Sequence, residues 1–245
     1  MVGEDPFDRL GDGTMYVQPA VYCASLALWK SNAGNSPATA FAGHSLGEVS
    51  ALACAGALDP IRGLELVALR GRLTQQAAQA AGGGMLAVRC DAKRIRNYLT
   101  DGLALASDNA PEQTVVSGPD ELLDQLRRSL REARVKSTRL AVVGPFHHPA
   151  MGAAVEGYRD ALEETDFGEP MAPVYSCVTA RPFEDVRDQL AQSLTRTVRW
   201  REVLEDLRSR QITTYLETGP GHGLSGLVKR TLPGVEAISW DGGSD

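Results

Sequence analysis

Apolar positions recur along the chain with two different periods, and together they predict an α/β fold. Helical spacing is clearest over 16–30, where Pro19 suits a first turn, and over 61–81. Short apolar runs typical of buried strands lie between such stretches. Outside a central insert, the pattern predicts helices over 16–30, 48–58, 61–81, 151–165, 187–210 and 224–230, strands over 38–42, 173–178, 213–216 and 235–239, and loops over 1–14 and 32–37. Strands alternating with helices imply a mainly parallel sheet.

The stretch 85–142 follows another order. The pattern predicts strands over 85–90, 103–107, 113–117 and 136–142, helices over 91–99 and 119–133, and a turn at Asp108-Asn109-Ala110-Pro111. This βαββαβ order is that of a ferredoxin-like module. We therefore predict a small ferredoxin-like subdomain over 85–142, inserted into a large α/β subdomain formed by 1–84 and 143–245.

Gly43-His44-Ser45-Leu46-Gly47 lies between a predicted strand and a predicted helix. This is the context of a nucleophile elbow, in which a sharp turn presents a serine hydroxyl at the N-terminus of a helix. Both glycines are expected to allow the close approach of strand and helix. The sequence thus predicts a nucleophilic Ser45. The alternative is a glycine-rich turn with a solvated serine.

A serine nucleophile needs a base, and the chain has four histidines. His44 is adjacent to Ser45 on a tight turn, where neighbouring side chains seldom meet, so we expect it to line the pocket. His147 and His148 follow a predicted strand, and His222 lies in a glycine-rich loop after another strand. Sequence spacing alone does not choose among these three.

Arg70 is unusual because its helical neighbours, Leu66, Leu73 and Ala77, are apolar. An arginine on such a stripe is costly to bury without an anion. The alternatives are a side chain that reaches solvent or one paired with a structural carboxylate.

Composition limits the class of protein. A net charge of −6 argues against general nucleic-acid binding, and no apolar run approaches the ~18 residues of a membrane span. The acidic, polar N-terminus does not resemble a secretory signal. The four scattered cysteines have no metal-ligand spacing and indicate a reduced, cytoplasmic protein. We expect no metal and no bound cofactor.

The insert is more basic than the rest of the chain. Arg127, Arg128 and Arg131 lie in the second half of the helix predicted over 119–133. These arginines suit the docking of an acidic partner. Acidic residues at the start of that helix and basic ones at its end also match the helix dipole, which explains the same pattern without a partner.

Six motifs occur in an order that resembles the malonyl-CoA:acyl carrier protein transacylase family, which includes the acyltransferase domains of fatty acid and polyketide synthases. They are Tyr16-Val17-Gln18-Pro19-Ala20, Gly43-His44-Ser45-Leu46-Gly47-Glu48, Leu69-Arg70-Gly71, Pro145-Phe146-His147, Val198-Arg199-Trp200 and Glu217-Thr218-Gly219-Pro220-Gly221. The match spans nearly the whole chain. It implies a hydrolase-like α/β domain with a ferredoxin-like insert.

The resemblance also implies roles. Ser45 is expected to take the acyl group from coenzyme A, with His147 as base and then acid. A backbone carbonyl near Ser193 is expected to orient His147. The Arg70 side chain would bind the free carboxylate of malonyl. The remaining expected substrate-site residues are His44, the backbone N–H of Leu46 as an oxyanion donor, Gln18, Asn109, and Phe146, whose bulk favours malonyl over α-branched acyl groups.

By the same resemblance, the acceptor would be the phosphopantetheine thiol of an acyl carrier protein, and the coenzyme A thioester would be a substrate rather than a resident cofactor. The family begins with a strand and a Gly-Gln-Gly-Ser-Gln loop that supplies a second oxyanion donor, and this sequence has neither before Tyr16. Its absence leaves three interpretations: a truncated form, a gap filled by another segment, or a protein that is not a competent transferase.

Two other functions fit parts of the sequence. Gly221-His222-Gly223 resembles the histidine loop of α/β-hydrolase thioesterases, with Asp185 or Asp206 as the candidate acid, and this predicts a hydrolase. A related version keeps the transacylase scaffold but passes the acyl group to water and so edits misloaded carrier proteins. The second alternative is a non-catalytic relative that binds carrier proteins.

Overall fold

The computed structural model describes residues 5–32 and 37–240. Its α-helices are α1 Thr14–Asn32, α2 Gly47–Cys54, α3 Pro60–Ala81, α4 Ala92–Arg96, α5 Asp120–Glu132, α6 Val155–Glu163, α7 Val186–Ser193, α8 Trp200–Ser209 and α9 Gly223–Thr231. Its strands are β1 Phe41–Ala42, β2 Gly84–Val88, β3 Ala104–Ala110, β4 Gln113–Gly118, β5 Ser137–Arg139, β6 Val174–Ser176, β7 Arg181–Pro182, β8 Thr214–Glu217 and β9 Glu236–Ser239. Short 3-10 helices, Pro6–Asp12 and Pro149–Ala154, precede α1 and α6.

Strands β2 to β5 form a four-stranded antiparallel sheet in the order β3-β4-β2-β5. Helices α4 and α5 cover it, and the apolar face of α5, Leu123, Leu126 and Leu130, is buried in their common core. This is the arrangement of a ferredoxin-like module, as the sequence pattern predicted. Because this core is a separate apolar cluster, we propose that these elements form the small subdomain predicted over 85–142.

The parallel strands of the large part of the molecule belong to two separate sheets. β1 pairs with β6 in parallel and β6 pairs with β7, while β8 pairs with β9 in parallel in a separate sheet. The expected parallel pairing is present, but it is not continuous. A cavity of about 1440 Å³, lined by residues of both β1 and β8, lies between the two sheets.

Helix α3 fixes one wall of the site. Asp59 caps its start by accepting hydrogen bonds from the N–H groups of Ile61 and Arg62, and Pro60 occupies the first turn. The helix packs along α1 through Leu66, Val67 and other apolar residues of the main core. Capping and packing thereby hold one face of α3 against α1.

Several predicted boundaries are wrong. Asp108, Asn109 and Ala110 belong to β3, so the hairpin turns at Pro111 and Glu112 instead of at 108–111. The predicted helical region 187–210 is two helices, because 194–199 leaves the helical path to reach β3. The loop predicted over 1–14 contains the Pro6–Asp12 helix, and its first four residues, like 33–36 of the loop predicted over 32–37, lie outside the described residues.

Candidate active site

Ser45 stands on a sharp turn between β1 and α2. Its backbone φ of 55° is in the left-handed region, which costs energy for a residue other than glycine. A Cβ on Gly43 would lie 1.9 Å from the carbonyl carbon of Gly47, so Gly43 must be glycine for the turn to close. A Cβ on Gly47 would meet no atom within 4 Å. The expectation that both glycines are needed for close approach is therefore wrong for Gly47.

His147 brings an imidazole to this serine from 102 residues along the chain. Its Nε2 lies 2.8 Å from Ser45 Oγ, and its Nδ1 lies 2.8 Å from the carbonyl oxygen of Ser193. Since a carbonyl can only accept, Nδ1 carries the proton and the Nε2 lone pair faces the hydroxyl. In this tautomer the Ser45 hydroxyl donates to His147.

Electrostatics keep this imidazole neutral. Desolvation lowers the pKa of His147 from 6.5 to about 3, and the nearby positive charge of Arg70 acts in the same direction. The hydrogen bond to the Ser193 carbonyl opposes the shift. A neutral imidazole aimed at a hydroxyl is the form that a general base requires.

Arg70 reaches the same hydroxyl from α3. Arg70 is only 5% exposed. One nitrogen of its guanidinium donates to Ser45 Oγ at 3.1 Å, and another donates to Gln18 Oε1 at 2.6 Å. Gln18 is held in turn by Thr14 and Thr74 through its amide nitrogen. No carboxylate of a described residue lies within 4 Å of Arg70. Arg70 is therefore buried beside the serine with neutral hydrogen-bond partners, and it makes no direct ion pair with a described residue.

His44 and Asn109 connect the elbow with β3. His44 Nε2 lies 2.8 Å from Asn109 Oδ1, and burial lowers the pKa of His44. A neutral His44 therefore donates to the amide oxygen. The imidazole also lies against Trp200, with ring centroids 5.8 Å apart. These contacts make His44 a wall of the site, as expected for a residue next to Ser45 on a tight turn.

Leu46 and Phe146 complete the surroundings. Leu46 precedes α2, and its backbone N–H donates no hydrogen bond to another residue of the described chain. Phe146 is half-buried and packs against the apolar core on both sides of the site. The predicted site residues Gln18, His44, Ser45, Leu46, Arg70, Asn109, Phe146, His147 and Ser193 thus fall in one connected region.

The chain matches the model of the acyl transferase domain family over residues 8–239. It is 36% identical over 228 residues to a malonyl CoA-acyl carrier protein transacylase of Synechocystis, covering 90% of this chain and 76% of that protein. This chain belongs to the acyltransferase family.

Solved structures give the same relationship. The malonyl-CoA:acyl carrier protein transacylase of Xanthomonas oryzae superimposes with a TM-score of 0.90 at 32% identity, over 95% of this chain and 78% of that one. A malonyl-transacylase in complex with a type II polyketide synthase acyl-carrier protein superimposes with a TM-score of 0.87 at 33% identity, over 92% and 77% of the two chains. The α/β fold with its ferredoxin-like insert is that of acyltransferases.

The other histidines of this acyltransferase have different surroundings. His148 caps the 3-10 helix after it, accepting from Ala150 N–H, and its Nε2 contacts the carbonyl of Gly102. His222 is exposed at the start of α9. The acids considered for a hydrolase are also engaged elsewhere, since Asp185 caps α7 and Asp206 pairs with Arg181 and Arg210. The arrangement does not favour a His222-based triad.

Two residues of the site escaped the sequence reasoning. Thr74, one helical turn after Arg70, accepts a hydrogen bond from Gln18 and fixes its amide. Glu48, inside the elbow motif, is fully buried beneath Ser45. A polar residue one turn from a buried arginine was the available signal for Thr74. An acid at the start of α2 was instead consistent with ordinary dipole matching.

The described residues show no sign of a metal site or of a membrane-spanning helix. They contain no group of three or more histidine, cysteine or carboxylate side chains arranged to hold a metal ion. None of the helices between residues 5 and 240 combines the length and apolar character needed to cross a bilayer. The cavity between β1 and β8 is lined by His44 and Asn109 but not by Ser45, Arg70 or His147.

Proposed function

We propose that this acyltransferase moves a malonyl group, or a related carboxylated acyl group, from coenzyme A to the phosphopantetheine thiol of an acyl carrier protein. The observation that carries the proposal is the buried Arg70, which lies 3.1 Å from Ser45 Oγ and has no carboxylate of a described residue within 4 Å. A guanidinium in this position suits an acyl group that ends in a carboxylate. The names of the relatives agree with this substrate class.

The first half-reaction forms an ester on the enzyme. Ser45 Oγ attacks the thioester carbonyl while its proton passes to His147 Nε2, and the Leu46 N–H donates to the oxygen that becomes negative. The carbon–sulfur bond then breaks, and His147 returns the proton to the departing thiolate of coenzyme A. The Ser193 carbonyl keeps His147 in the required tautomer throughout.

The second half-reaction runs in reverse with a different thiol. His147 removes the proton of the phosphopantetheine thiol, which attacks the Ser45 ester, and the serine oxygen recovers the proton as it leaves. Acyl carrier proteins are acidic, and Arg127, Arg128 and Arg131 are exposed on α5 for such a partner. Phe146 fills the space beside the base and disfavours acyl groups with an α-branch.

Four free cysteines support a reducing compartment, so we propose that the enzyme works in the cytoplasm.

Intact-protein mass spectrometry tests this proposal. After incubation with malonyl-CoA, we expect a malonyl adduct on the wild-type enzyme and none on Ser45→Ala. With a holo acyl carrier protein present, malonyl should appear on the carrier rather than as free malonate. The rate should fall about 10²–10⁴-fold in His147→Ala, because the base is lost. His222→Ala is the matched control and should keep wild-type activity. Release of free malonate as the main product would indicate a hydrolase, and an unmodified Ser45 would indicate a non-catalytic protein.

A further inference from the structure

A buried carboxylate lies directly beneath the nucleophile elbow. Glu48, in the first turn of α2, has no exposed surface. Its Oε1 accepts a hydrogen bond of 2.6 Å from the backbone N–H of Cys177, and its Oε2 has no hydrogen-bond partner among the described residues. No basic side chain of those residues lies within 4 Å of it. Burying an acid in this way is costly unless a nearby charge or a proton compensates it.

The charge that faces Glu48 is Arg70. Its two side-chain hydrogen-bond partners, Gln18 and Ser45, are neutral, so they stabilise the guanidinium without balancing its charge. Arg70 and Glu48 interact electrostatically across the base of the site, and each favours the charged form of the other. The two charges attract each other without direct contact, and both side chains are buried, so water screens the attraction little.

The other titratable groups that face Glu48 are Tyr158 of α6 and Cys177 after β6. Burial raises the pKa of Tyr158 to about 12 and that of Cys177 well above its ordinary value, so both are neutral near pH 7. The packed elements α1 and β1 contribute no charged group to this cluster. The charge of the cluster near neutral pH is therefore set by Glu48 and Arg70.

The protonation of Glu48 is finely balanced. Burial raises its pKa from 4.5 to about 7, while the Cys177 N–H, the positive charge of Arg70 and the nearby hydroxyls of Ser176 and Ser193 oppose that rise. A substrate carboxylate that binds Arg70 neutralises the positive charge that stabilises ionised Glu48. Its own negative charge also repels the Glu48 carboxylate. Both changes disfavour the ionised form of Glu48.

We propose that Glu48 is the resident counter-ion of Arg70, and that binding of a carboxylated acyl group is coupled to the uptake of one proton by Glu48. The proton comes from solvent and forms an O–H bond on the Glu48 carboxylate, so charge in the buried cluster is conserved as the substrate enters. Glu48 acts through Arg70 and is a positioning and charge-balancing residue. This inference rests on the proposed function, in which Arg70 binds the substrate carboxylate.

Calorimetry of binding provides the direct test. Malonyl-CoA is titrated at pH 8 into Ser45→Ala, which cannot be acylated, in buffers of different ionisation enthalpy. We expect uptake approaching one proton for malonyl-CoA and none for acetyl-CoA, since at pH 8 about nine-tenths of a group with a pKa of about 7 is ionised. In Ser45→Ala/Glu48→Gln the uptake for malonyl-CoA should vanish. Equal proton uptake for the two ligands in Ser45→Ala would overturn the proposal.

Kinetics provide a second readout that a merely structural role would not change. In the wild type, the ratio of kcat/KM for malonyl-CoA to that for acetyl-CoA should fall up to about tenfold per pH unit above pH 7, because Glu48 must first be protonated. In Glu48→Gln the ratio should be independent of pH. The glutamine oxygen can still accept from Cys177 N–H, so the elbow is retained. A pH-dependent ratio that persists in Glu48→Gln would also overturn the proposal.

Failure of the proposed function has a different signature. If Arg70→Ala lowers malonyl-CoA and acetyl-CoA turnover equally at every pH, Arg70 does not bind the carboxylate and the proposed function fails. If Arg70→Ala is selective for malonyl-CoA but no proton is taken up, only the role of Glu48 fails. Should Glu48→Gln not fold, the comparison of the two ligands in Ser45→Ala decides the matter alone.

Discussion

His147 lies between the backbone carbonyl of Ser193 and the hydroxyl of Ser45, close to a guanidinium. The carbonyl fixes its tautomer, whereas burial and Arg70 disfavour its protonated form. A Ser-His pair held in this way needs no carboxylate, because the Ser193 carbonyl supplies the orientation. The site thereby keeps its base in the active form over a wide range of pH.

This protonation state predicts a pH profile. A lowered pKa means that the base form persists as the pH falls, until the pH approaches about 3. We expect kcat/KM for acetyl-CoA, a donor without a carboxylate, to change less than about twofold between pH 8 and pH 5 while the enzyme stays folded. A histidine with the ordinary pKa of 6.5 would lose about 30-fold at pH 5. Stopped-flow measurement of acyl-enzyme formation checks this, and an acid limb near pH 6.5 would contradict it.

Arg70 predicts substrate selectivity. In Arg70→Ala, kcat/KM for malonyl-CoA should fall about 100-fold, since a buried charge-assisted contact is lost. For acetyl-CoA the fall should be only several-fold and reflect the lost contact with Ser45 Oγ. Arg62→Ala, at an exposed position of the same helix, serves as the control and should match the wild type. Equal losses for the two donors would show that Arg70 has a structural role.

At the scale of elements, the site depends on how closely β1 approaches α2. The backbone of Gly47 crowds Gly43, and the chain pays for this turn with a left-handed Ser45. The turn is supported from outside by the Glu48 side chain, which reaches Cys177 beyond β6, and by Cys177 Sγ, which donates to the carbonyl of Gly43. A strained turn persists when neighbouring elements determine it in this way.

The two glycines of the elbow should respond differently to substitution. In Gly43→Ala the added methyl group meets backbone at 1.9 Å, so we expect loss of the Ser45 adduct and a marked fall in melting temperature. In Gly47→Ala the methyl group meets nothing within 4 Å and lies in the first turn of a helix, so stability and acylation should be kept. Thermal unfolding and mass spectrometry measure both effects. A Gly43→Ala enzyme that is acylated at the wild-type rate would refute this explanation of the elbow.

At the scale of the whole molecule, β3 joins the small sheet to the large part. Asp108 N–H donates to the carbonyl of Val198, and Val198 N–H donates to that of Ala106. The Asp108 side chain is only 5% exposed. Its carboxylate accepts hydrogen bonds from two nitrogens of the Arg201 guanidinium at 2.8–3.2 Å. The next residue, Asn109, accepts from His44. These contacts of β3 therefore connect the small sheet with His44, the residue that precedes Ser45.

Asp108→Asn should weaken this connection. It leaves Arg201 without its buried partner, and we expect a loss of about 2–3 kcal/mol of unfolding free energy, less than for a fully buried pair because Arg201 keeps Glu205 and some solvent. Turnover should also fall modestly through the His44–Asn109 contact. Denaturant titration and kcat/KM check both. The control is Asp120→Asn, which alters an exposed ion pair with Arg139 and should cost less than about 0.5 kcal/mol. Equal effects at both positions would contradict the role given to Asp108.

The sequence by itself determined the local elements and the chemistry of the elbow. Helical periodicity predicted α3 almost to its ends, since Asp59, Pro60 and Gly82 are local signals, and the βαββαβ order identified the insert. Local signals failed where a distant partner decides. Asp108-Asn109-Ala110-Pro111 has the composition of a turn, yet its first three residues belong to β3, where Arg201 and Val198, some 90 residues away, hold Asp108.

Local context left three histidines equivalent as the base, and the family resemblance indicated His147. The tertiary structure shows that His147 meets Ser45, because only folding brings residues 45 and 147 together. The burial of Arg70 also depended on the packing of α3 against α1, and the burial of Glu48 on the turn after β6 that supplies the Cys177 N–H. The protonation state of a buried group depends on the neighbours that surround it, and these come from distant parts of the chain. The residue types are fixed by the sequence, but their protonation and their partners follow from the fold.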